Sequence, residues 1–247
     1  MTLQEFFKEN PKVAIAFSGG VDSSYLLYAA QTSGADTKAY FVKGAFQPQF
    51  ELDDAKRLAK EIGVPMTILP VDVLANDTVT ANPSNRCYYC KQTVFGLIQE
   101  TAAKDGFHTL LDGTNASDDA ADRPGMKALE ELQVRSPLRE AGLTKDEIRR
   151  LSKEAGLFTW DKPSYACLAT RIPTGQKITK EELDRVSHSE TFLMQLGFCN
   201  FRVRTVGNDA KIQVTKDQLD LLLKHREQIL KELQPLYDNI LLDLVTR

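Results

Sequence analysis

A strand–turn–helix pattern near the start of the chain constrains its fold more than any other feature. The apolar run at residues 13–17 is long enough for a buried strand. Gly19 and Gly20 interrupt it, and apolar side chains recur at helical spacing from Val21 onward. A glycine turn between a strand and a helix leaves room for a ligand, and the unpaired N–H groups of the helix start face that room. The sequence therefore predicts an anion-binding turn.

The side chains of this turn supply hydroxyl and carboxylate groups. Ser18, Ser23 and Ser24 can donate hydrogen bonds to phosphate oxygens. Asp22 is acidic, so Mg²⁺ or a substrate amine is its expected partner. The turn is not a Walker loop, because no Gly-Lys-Ser/Thr follows, and it lacks the G-x-G-x-x-G of a dinucleotide site.

Strands and helices alternate along the first part of the chain. Strands are predicted at residues 37–43, 65–71 and 109–111, and helices at residues 50–62 and 91–104. Alternation of this kind predicts an α/β fold with a parallel, doubly wound sheet. Ligands of such sheets bind at the carboxyl ends of the strands.

A second polar turn follows the last of these strands and reads DGTNASDD over residues 112–119. Because it also lies at the carboxyl end of a strand, we expect it to meet the same nucleotide as the glycine turn. Gly113, Thr114 and Asn115 would contact the nucleotide, and Asp118 would help to hold Mg²⁺. The composition alone is equally that of a solvated loop.

The pattern changes in the second part of the chain. An irregular stretch at residues 161–175, which contains two prolines, predicts a domain boundary. We therefore expect a nucleotide-binding domain over residues 1–165 and a small α+β domain over residues 166–247. The smaller domain is predicted to contain a helix at 179–197, a hairpin of strands at 200–206 and 210–215, a helix at 218–233 and a strand at 239–245.

Charge and hydrophobic content exclude some classes of protein. The 247 residues carry a formal net charge of −3, which gives no indication of nucleic acid binding. The first residues lack the apolar core of a signal peptide, and no run of 18 apolar residues occurs. We therefore expect a cytoplasmic protein with no membrane segment. The basic residues of a helix predicted at 143–156 are expected to form a solvated face.

Four cysteines occur in the sequence, and Cys87 and Cys90 form a C-x-x-C. In the cytoplasm such cysteines are more often metal-binding or catalytic than disulfide-bonded. A zinc site would need two more ligands nearby. Two close cysteines and the distant Cys167 suit a [4Fe–4S] cluster with three thiolate ligands, which leaves one iron open. Free thiols are the alternative, and Cys199, just before a predicted strand, is interpreted as a packing residue.

The string SGGVDSS at residues 18–24 resembles the PP-loop of the N-type ATP pyrophosphatases. This resemblance implies a HUP-like fold of the adenine nucleotide alpha hydrolase type. It also implies ATP binding and attack of a substrate oxygen on the α-phosphate, with release of pyrophosphate. Other segments extend the likeness, so that most of the chain is similar to the LarE family of ATP-dependent sulfur transferases. These segments are CYYCK, DGTN, DRPG, RSPLRE, KPSYACLATRIPTG and LGFCNFRVR.

The LarE resemblance implies a substrate and a reaction. The substrate is pyridinium-3,5-biscarboxylic acid mononucleotide. One of its carboxylates is adenylated and then converted to a thiocarboxylate, in synthesis of the nickel pincer cofactor of lactate racemase. A homo-oligomer and a separate sulfur donor are also implied.

The resemblance assigns residues as well. Cys167 falls at the position of the sulfur-donating cysteine. Arg202 and Arg204 match arginines near the substrate phosphate, and Glu190 matches an acid near a subunit interface. Arg171 is expected either to screen charge near the attacking sulfur or to anchor its loop by a salt bridge. The residues that match the pyrophosphate loop are Ser18, Gly19, Gly20, Asp22 and Ser23.

Two branches of the LarE family use cysteine differently. Members of one branch sacrifice a single cysteine, which becomes dehydroalanine, and do not keep the C-x-x-C. Because Cys87 and Cys90 accompany Cys167 here, the chain resembles the branch that carries sulfide on the open iron of a [4Fe–4S] cluster. That interpretation requires the three thiols to converge beside the α-phosphate of bound ATP.

Three other functions are compatible with parts of the sequence. A tRNA thiolase of the same superfamily shares the chemistry but would need a broad basic surface. An amide-forming ligase or amidotransferase would use SGGVDSS equally well, but does not explain the three cysteines. A module that only senses ATP would release no pyrophosphate.

Overall fold

The structure is a computed structural model that describes residues 1–118 and 123–247. The chain divides into two compact units. The first consists of Met1–Val73 and Asn85–Lys162, and the second consists of Leu74–Ser84 and Pro163–Arg247. Each unit has its own sheet.

Seven strands and eleven α-helices are described. The strands are β1 Lys12–Ala16, β2 Asp36–Lys43, β3 Met66–Pro70, β4 Leu110–Leu111, β5 Arg202–Val206, β6 Asp209–Gln213 and β7 Ile240–Leu242. The helices are α1 Leu3–Glu9, α2 Val21–Thr32, α3 Gln49–Ile62, α4 Asp77–Thr80, α5 Arg86–Lys104, α6 Arg123–Glu131, α7 Pro137–Glu140, α8 Lys145–Glu154, α9 Lys180–Gln195, α10 Leu219–Lys224 and α11 Arg226–Leu233.

The first unit is built on a parallel sheet with the strand order β3-β2-β1-β4. In this sheet Val13 pairs with Thr37, and Ala14 pairs with Leu110. Parallel neighbours need a crossover connection, which the helices between the strands provide. The predicted α/β fold with a parallel sheet is confirmed, and all four strands expected in this part of the chain are present.

Helices cover both faces of this sheet. Successive residues of a strand point to opposite faces, so each strand contributes side chains to both of the resulting cores. Val13 and Ile15 of β1 belong to a buried cluster that includes side chains of α1, α2 and α3. Ala14, between them, belongs to a second cluster with Ile98 and Ala102 of α5. The sheet is therefore buried on both sides, as its apolar strands predict.

The second unit contains a three-stranded sheet with the order β5-β6-β7. β5 and β6 form the predicted antiparallel hairpin, and β7 is parallel to β6. Its core includes Val203 and Ile212 from the sheet and Leu233 from α11. In residues 1–118 and 123–247, no helix is long and apolar enough to cross a membrane.

Two helices differ from their predicted extents. α5 begins at Arg86 rather than at residue 91, so Cys87 and Cys90 lie in its first turns instead of in a preceding loop. The helix predicted at residues 218–233 is interrupted at His225, where φ is −96° and ψ is 11°. No glycine or proline marks that break, and the apolar pattern continues across it, so the sequence gives no signal for it.

Candidate functional site

The turn between β1 and α2 requires glycine at position 19. Gly19 has a φ of +72°, which favours glycine. A Cβ atom there would lie 3.1 Å from the carbonyl oxygen of Glu51 and 3.2 Å from the Cβ of Ala55. The turn is therefore packed tightly against α3, and its shape depends on the missing side chain.

The start of α2 is left open by the next glycine. Gly20 is the N-cap residue and has no side chain with which to cap the helix. The Oγ of Ser18 accepts a hydrogen bond from the Gly20 N–H at 3.3 Å and lies 3.0 Å from the Oγ of Ser23. Ser23 in turn donates to the carbonyl oxygen of Gly20 at 3.2 Å. These hydroxyls hold the turn in shape, and a helix N-terminus of this kind favours an anion.

The second polar turn contacts the first directly. A Cβ atom on Gly113 would lie 2.9 Å from the backbone nitrogen and 3.2 Å from the Cα of Ser23. The side-chain amide of Asn115 donates to Oδ1 of Asp22 at 3.3 Å. The two turns that follow β1 and β4 thus form one continuous surface at the carboxyl ends of these strands, where α/β sheets bind ligands.

The acidic residues of the second turn mainly shape the turn. Oδ2 of Asp118 accepts a hydrogen bond from the Asn115 N–H at 2.8 Å. Asp112 is buried and accepts hydrogen bonds from the Thr114 N–H at 3.3 Å and from Ser136 Oγ at 2.6 Å. Burial raises the pKa of Asp112 above its usual value. Asp119, and Asp122 of the DRPG motif, lie outside the described residues.

Two lysines at this surface were missed by the sequence analysis. Lys145, the first residue of α8, forms an ion pair with Asp22. Nζ of Lys162 lies 2.6 Å from Oδ2 of Asp54 and donates to the carbonyl oxygen of Gly19 at 3.2 Å. Each lysine is more than a hundred residues from its partners in the turn, and no short motif could have indicated these contacts.

The expected solvated face of the helix at 143–156 is wrong for Lys145 and Arg149. Arg149 donates to the carbonyl oxygens of Trp160 and Lys162 at 2.7 Å and 2.9 Å. The expectation is correct for Arg150, whose side chain is 61% exposed. The basic residues of this helix therefore differ: some are exposed, Arg149 holds a neighbouring loop, and Lys145 faces the glycine turn.

A small apolar cavity of about 140 Å³ borders the glycine turn. It is lined by Phe17 and Ser18, by Tyr40 and Val42 of β2, and by Phe95 of α5. A flat ring with apolar faces, such as a nucleobase, suits this lining.

The thiols of Cys87 and Cys90 lie on one side of α5, because residues three apart in a helix are neighbours. Both are partly buried, and the four cysteines form no disulfide. In the described parts of the chain, no three His, Cys, Asp or Glu side chains are arranged to hold a metal ion. Two adjacent thiols fit the ligand chemistry of an iron–sulfur cluster, and convergence with Cys167 of the second unit stays a prediction.

In the second unit, hydrogen bonds fix the segment around Cys167. Cys167 is the N-cap residue of the short 3₁₀ helix Leu168–Arg171. Its carbonyl oxygen accepts from the Thr170 Oγ at 2.8 Å, and the preceding carbonyl, of Ala166, accepts from Arg171 Nη1 at 3.0 Å. The backbone on both sides of the sulfur is thereby anchored.

Arg171 acts through a buried ion pair. Its Nε and Nη2 donate to the two carboxylate oxygens of Glu190 at 2.7 Å and 2.9 Å, and both side chains are almost fully buried. Burial opposes the charge, but the bonds to Glu190 outweigh it and raise the pKa of Arg171. Of the two expected roles, this geometry favours anchoring of the loop.

Glu190 joins several parts of the second unit. Besides Arg171, its carboxylate accepts hydrogen bonds from the Tyr165 hydroxyl and from the Val203 N–H. Only 1% of Glu190 is exposed, so its carboxylate is spent on contacts inside the second unit, and a position near a subunit interface stays a prediction. Its hydrogen-bond partners lie 13 to 25 residues away in the sequence, so no local pattern indicates these contacts.

Arg202 and Arg204 both donate to uncharged oxygens. Arg202 bonds the carbonyls of Phe201 and Ser164, each at 2.6 Å, and Arg204 bonds the side-chain oxygen of Gln213 at 2.7 Å. Burial, together with nearby guanidinium groups, lowers the pKa of Arg202 to about 10, and burial also lowers that of Arg204. A local excess of positive charge of this kind favours a bound anion.

Comparisons with known proteins give one matching family model and several relatives. The family model "Queuosine biosynthesis protein QueC" matches residues 12–87, which include the glycine turn. Uncharacterized protein slr1717 of Synechocystis is 39% identical over 219 residues, covering 88% of this chain and 81% of that protein.

The names of two further relatives state an enzymatic activity. The pyridinium-3,5-bisthiocarboxylic acid mononucleotide synthase of Lactiplantibacillus plantarum is 32% identical over 246 residues, covering 98% of this chain and 89% of that protein. The tRNA-specific 2-thiouridylase MnmA of Pseudothermotoga lettingae is 26% identical over 205 residues, covering 67% of this chain and 58% of that protein.

Proposed function

The chain belongs to the LarE family of pyridinium-3,5-bisthiocarboxylic acid mononucleotide synthases, and from this premise we propose the reaction that it performs. The chain is an ATP-dependent sulfurtransferase. It adenylates a carboxylate of pyridinium-3,5-biscarboxylic acid mononucleotide and exchanges the activated oxygen for sulfur, which gives a thiocarboxylate, pyrophosphate and AMP.

One observation carries the adenylation half of this proposal. The backbone of Gly113 lies so close to Ser23 that no side chain fits between them. Two turns from different strands are therefore held in contact at an open helix N-terminus, beside an apolar cavity suited to a nucleobase. This combination supports binding of ATP with its phosphates at the start of α2.

Adenylation makes the carboxylate reactive. A carboxylate oxygen is a poor leaving group, and joining it to AMP supplies a good one. The substrate oxygen attacks the α-phosphorus, and the bond from this phosphorus to the bridging oxygen breaks. Backbone N–H groups at the start of α2 stabilise the negative charge that develops on the departing pyrophosphate. Mg²⁺ would add charge neutralisation there, with Asp22 and Asp118 as candidate ligands.

For the sulfur half, we assign Cys87, Cys90 and Cys167 as ligands of a [4Fe–4S] cluster. Such a cluster supplies an open iron position at which sulfide can be exchanged. The residues that serve this role are two thiols on one side of α5 and a third on a hydrogen-bonded segment. We assign Arg171 to positioning of that segment. The alternative is that Cys167 itself gives up its sulfur once.

Arg202 and Arg204 are assigned to the phosphate of the mononucleotide. Their bonds go to neutral oxygens, and the burial of their charge among other arginines would be relieved by an anion. A homo-oligomer, a cytoplasmic location and a separate sulfur donor belong to this proposal as inferences from the family.

A tRNA substrate is the main rival, because the MnmA relatives act as tRNA-specific 2-thiouridylases by name. That likeness covers only 67% of the chain at 26% identity. The net charge of −3 also provides little of the positive surface that RNA phosphates need. The small-molecule substrate is therefore favoured.

The test is ATP-dependent pyrophosphate release with the pyridinium mononucleotide as acceptor. Release should require that acceptor, and Asp22→Ala should reduce it by roughly 100-fold or more, the scale expected for loss of transition-state charge stabilisation. Asp36→Ala is the matched control, because Asp36 is an exposed acid of the same unit, 3.5 Å from Lys12. Undiminished release by the Asp22 variant, or release that tRNA but not the mononucleotide stimulates, would contradict the proposal.

A further inference from the structure

The glycine turn contains no cation of its own. Residues 18–24 include one acid and no lysine or arginine. Walker loops, by contrast, carry a lysine that reaches the phosphates. In the reaction proposed here, the β,γ-diphosphate part of ATP gains one negative charge on the former bridging oxygen when it leaves as pyrophosphate. A cation of the chain that supplements Mg²⁺ at this charge has to come from outside the turn, and the structure offers two lysines there.

Lys145 is the lysine whose ammonium group meets the turn through Asp22. The side chains of Lys145 and Asp22 are 28% and 21% exposed, so the pair lies at the wall of the site and is open to a ligand. The backbone of Lys145 is fixed, because its N–H donates to the Oγ of Ser117 at 3.0 Å. Its flexible four-carbon stem can carry the ammonium group to a new partner without movement of α8.

Asp22 is the shared partner on which the inference depends. The same carboxylate accepts from Asn115 at 3.3 Å and from Lys145, and it is the candidate Mg²⁺ ligand of the turn. An oxygen bound to a divalent cation has little charge left for an ammonium group. Lys145 and a metal ion therefore compete for Asp22.

We propose that Lys145 is a second cation of the adenylation site, stored on Asp22. When Asp22 turns to a bound Mg²⁺, Lys145 is released and moves to the pyrophosphate part of ATP, where it stabilises the leaving group. No bond is made or broken by the lysine, and only its ion-pair partner changes. This inference rests on the proposed function, since it assigns a role in the same adenylation step.

Lys162 does not fit this description. Its ammonium group bonds the Gly19 carbonyl and pairs with Asp54 at 2.6 Å, and only 14% of its side chain is exposed. Metal binding at Asp22 would leave both of these partners in place. Lys162 therefore supports the turn, whereas Lys145 is the lysine that metal binding sets free.

The proposal predicts opposite effects on two ligands for one substitution. In Lys145→Met, Asp22 loses its competitor, so Mn²⁺ alone, measured by electron paramagnetic resonance, should bind about threefold more tightly or better, the scale of a partly exposed ion pair. Magnesium pyrophosphate, measured by calorimetry, should bind roughly 10- to 100-fold more weakly, as expected for loss of a hydrogen bond to a charged group. Unfolding cannot produce the first result, because it is a gain.

Lys153→Met is the matched control, since Lys153 lies on the same helix with its ammonium group 4.4 Å from the centre of the Trp160 ring. It should change neither affinity. In an Asp22→Asn background, Lys145→Met should no longer affect Mn²⁺. Unchanged or weakened Mn²⁺ binding by Lys145→Met overturns the proposal, as does unchanged pyrophosphate binding. Neither measurement contains the pyridinium substrate, so failure here is distinct from failure of the proposed function.

Discussion

The glycine turn of the first unit and the Cys167 segment of the second hold their functional atoms in opposite ways. The turn depends on missing side chains: Gly19 and Gly113 leave space that a Cβ would fill. The Cys167 segment depends on side chains that are present, above all the buried pair of Arg171 and Glu190. Backbone shape therefore builds the first site, and a charge network builds the second.

This difference has a consequence for each kind of site. A backbone cradle presents N–H groups whose positions change little during reaction, which suits the stabilisation of a departing pyrophosphate. A segment anchored by an ion pair is only as rigid as that pair, but it can carry a reactive side chain into a position that no regular element reaches. Adenylation and sulfur transfer should accordingly be separable by substitution.

Removal of a cysteine should have the largest effect, because it should stop sulfur transfer and leave adenylation intact. Anaerobic reconstitution with iron and sulfide should give a broad absorption at about 400 nm, as for protein-bound [4Fe–4S] clusters. Cys87→Ala, Cys90→Ala and Cys167→Ala should each abolish it, while pyrophosphate release continues because the glycine turn is intact. Cys199→Ala is the control, since this exposed cysteine is not among the assigned ligands.

Two outcomes would contradict the cluster assignment. One is an absorption that survives loss of Cys167. The other is a mass loss of about 34 Da at Cys167 after turnover, the mass of H₂S, which indicates β-elimination and a sacrificed cysteine.

The second prediction concerns the buried ion pair of Arg171 and Glu190. Glu190→Gln leaves Arg171 buried without its counter-charge, so the free energy of unfolding should fall by about 3–5 kcal/mol. The measurement is denaturant unfolding, followed by a probe in the second unit. ATP binding by folded protein should be unchanged, because the glycine turn does not use this pair.

A control for Glu190→Gln is available on the same helix. Asp184→Asn breaks the ion pair with Lys180, in which the side chains of Lys180 and Asp184 are 74% and 63% exposed. This variant should lower the free energy of unfolding by no more than about 1 kcal/mol. The double variant Glu190→Gln with Arg171→Met should recover part of the lost stability, since the unpaired charge is gone. Equal losses for Glu190→Gln and Asp184→Asn would refute the view that the buried pair holds the segment.

The same contrast explains what the sequence could predict. The parallel sheet, the hairpin and the glycine turn follow from local patterns of apolar residues and glycine, and they were predicted. Lys145 pairs with a residue 123 positions away, and the hydrogen-bond partners of Glu190 lie 13 to 25 positions away. Contacts at such separations leave no local pattern in the sequence. The early start of α5 was also missed, because its first turn contains cysteines and tyrosines rather than a strong apolar repeat.

The third prediction tests the backbone side of the comparison. In Gly113→Ala the new Cβ would lie 2.9 Å from the nitrogen of Ser23, and a backbone atom cannot move aside as a flexible side chain can. Either the second turn or the start of α2 must shift. Overpacking of this kind costs about 1–3 kcal/mol, so ATP affinity measured by calorimetry should fall roughly 10- to 100-fold.

Gly96→Ala is the matched control, because nothing lies within 4 Å of the position its Cβ would take on α5. This variant should bind ATP normally and gain about 0.5–1 kcal/mol of stability from the higher helix propensity of alanine. A Gly113→Ala protein that binds ATP as tightly as Gly96→Ala would show that contact between the two turns does not shape the nucleotide site. The first unit would then have to hold ATP by side chains, as the second unit holds its cysteine.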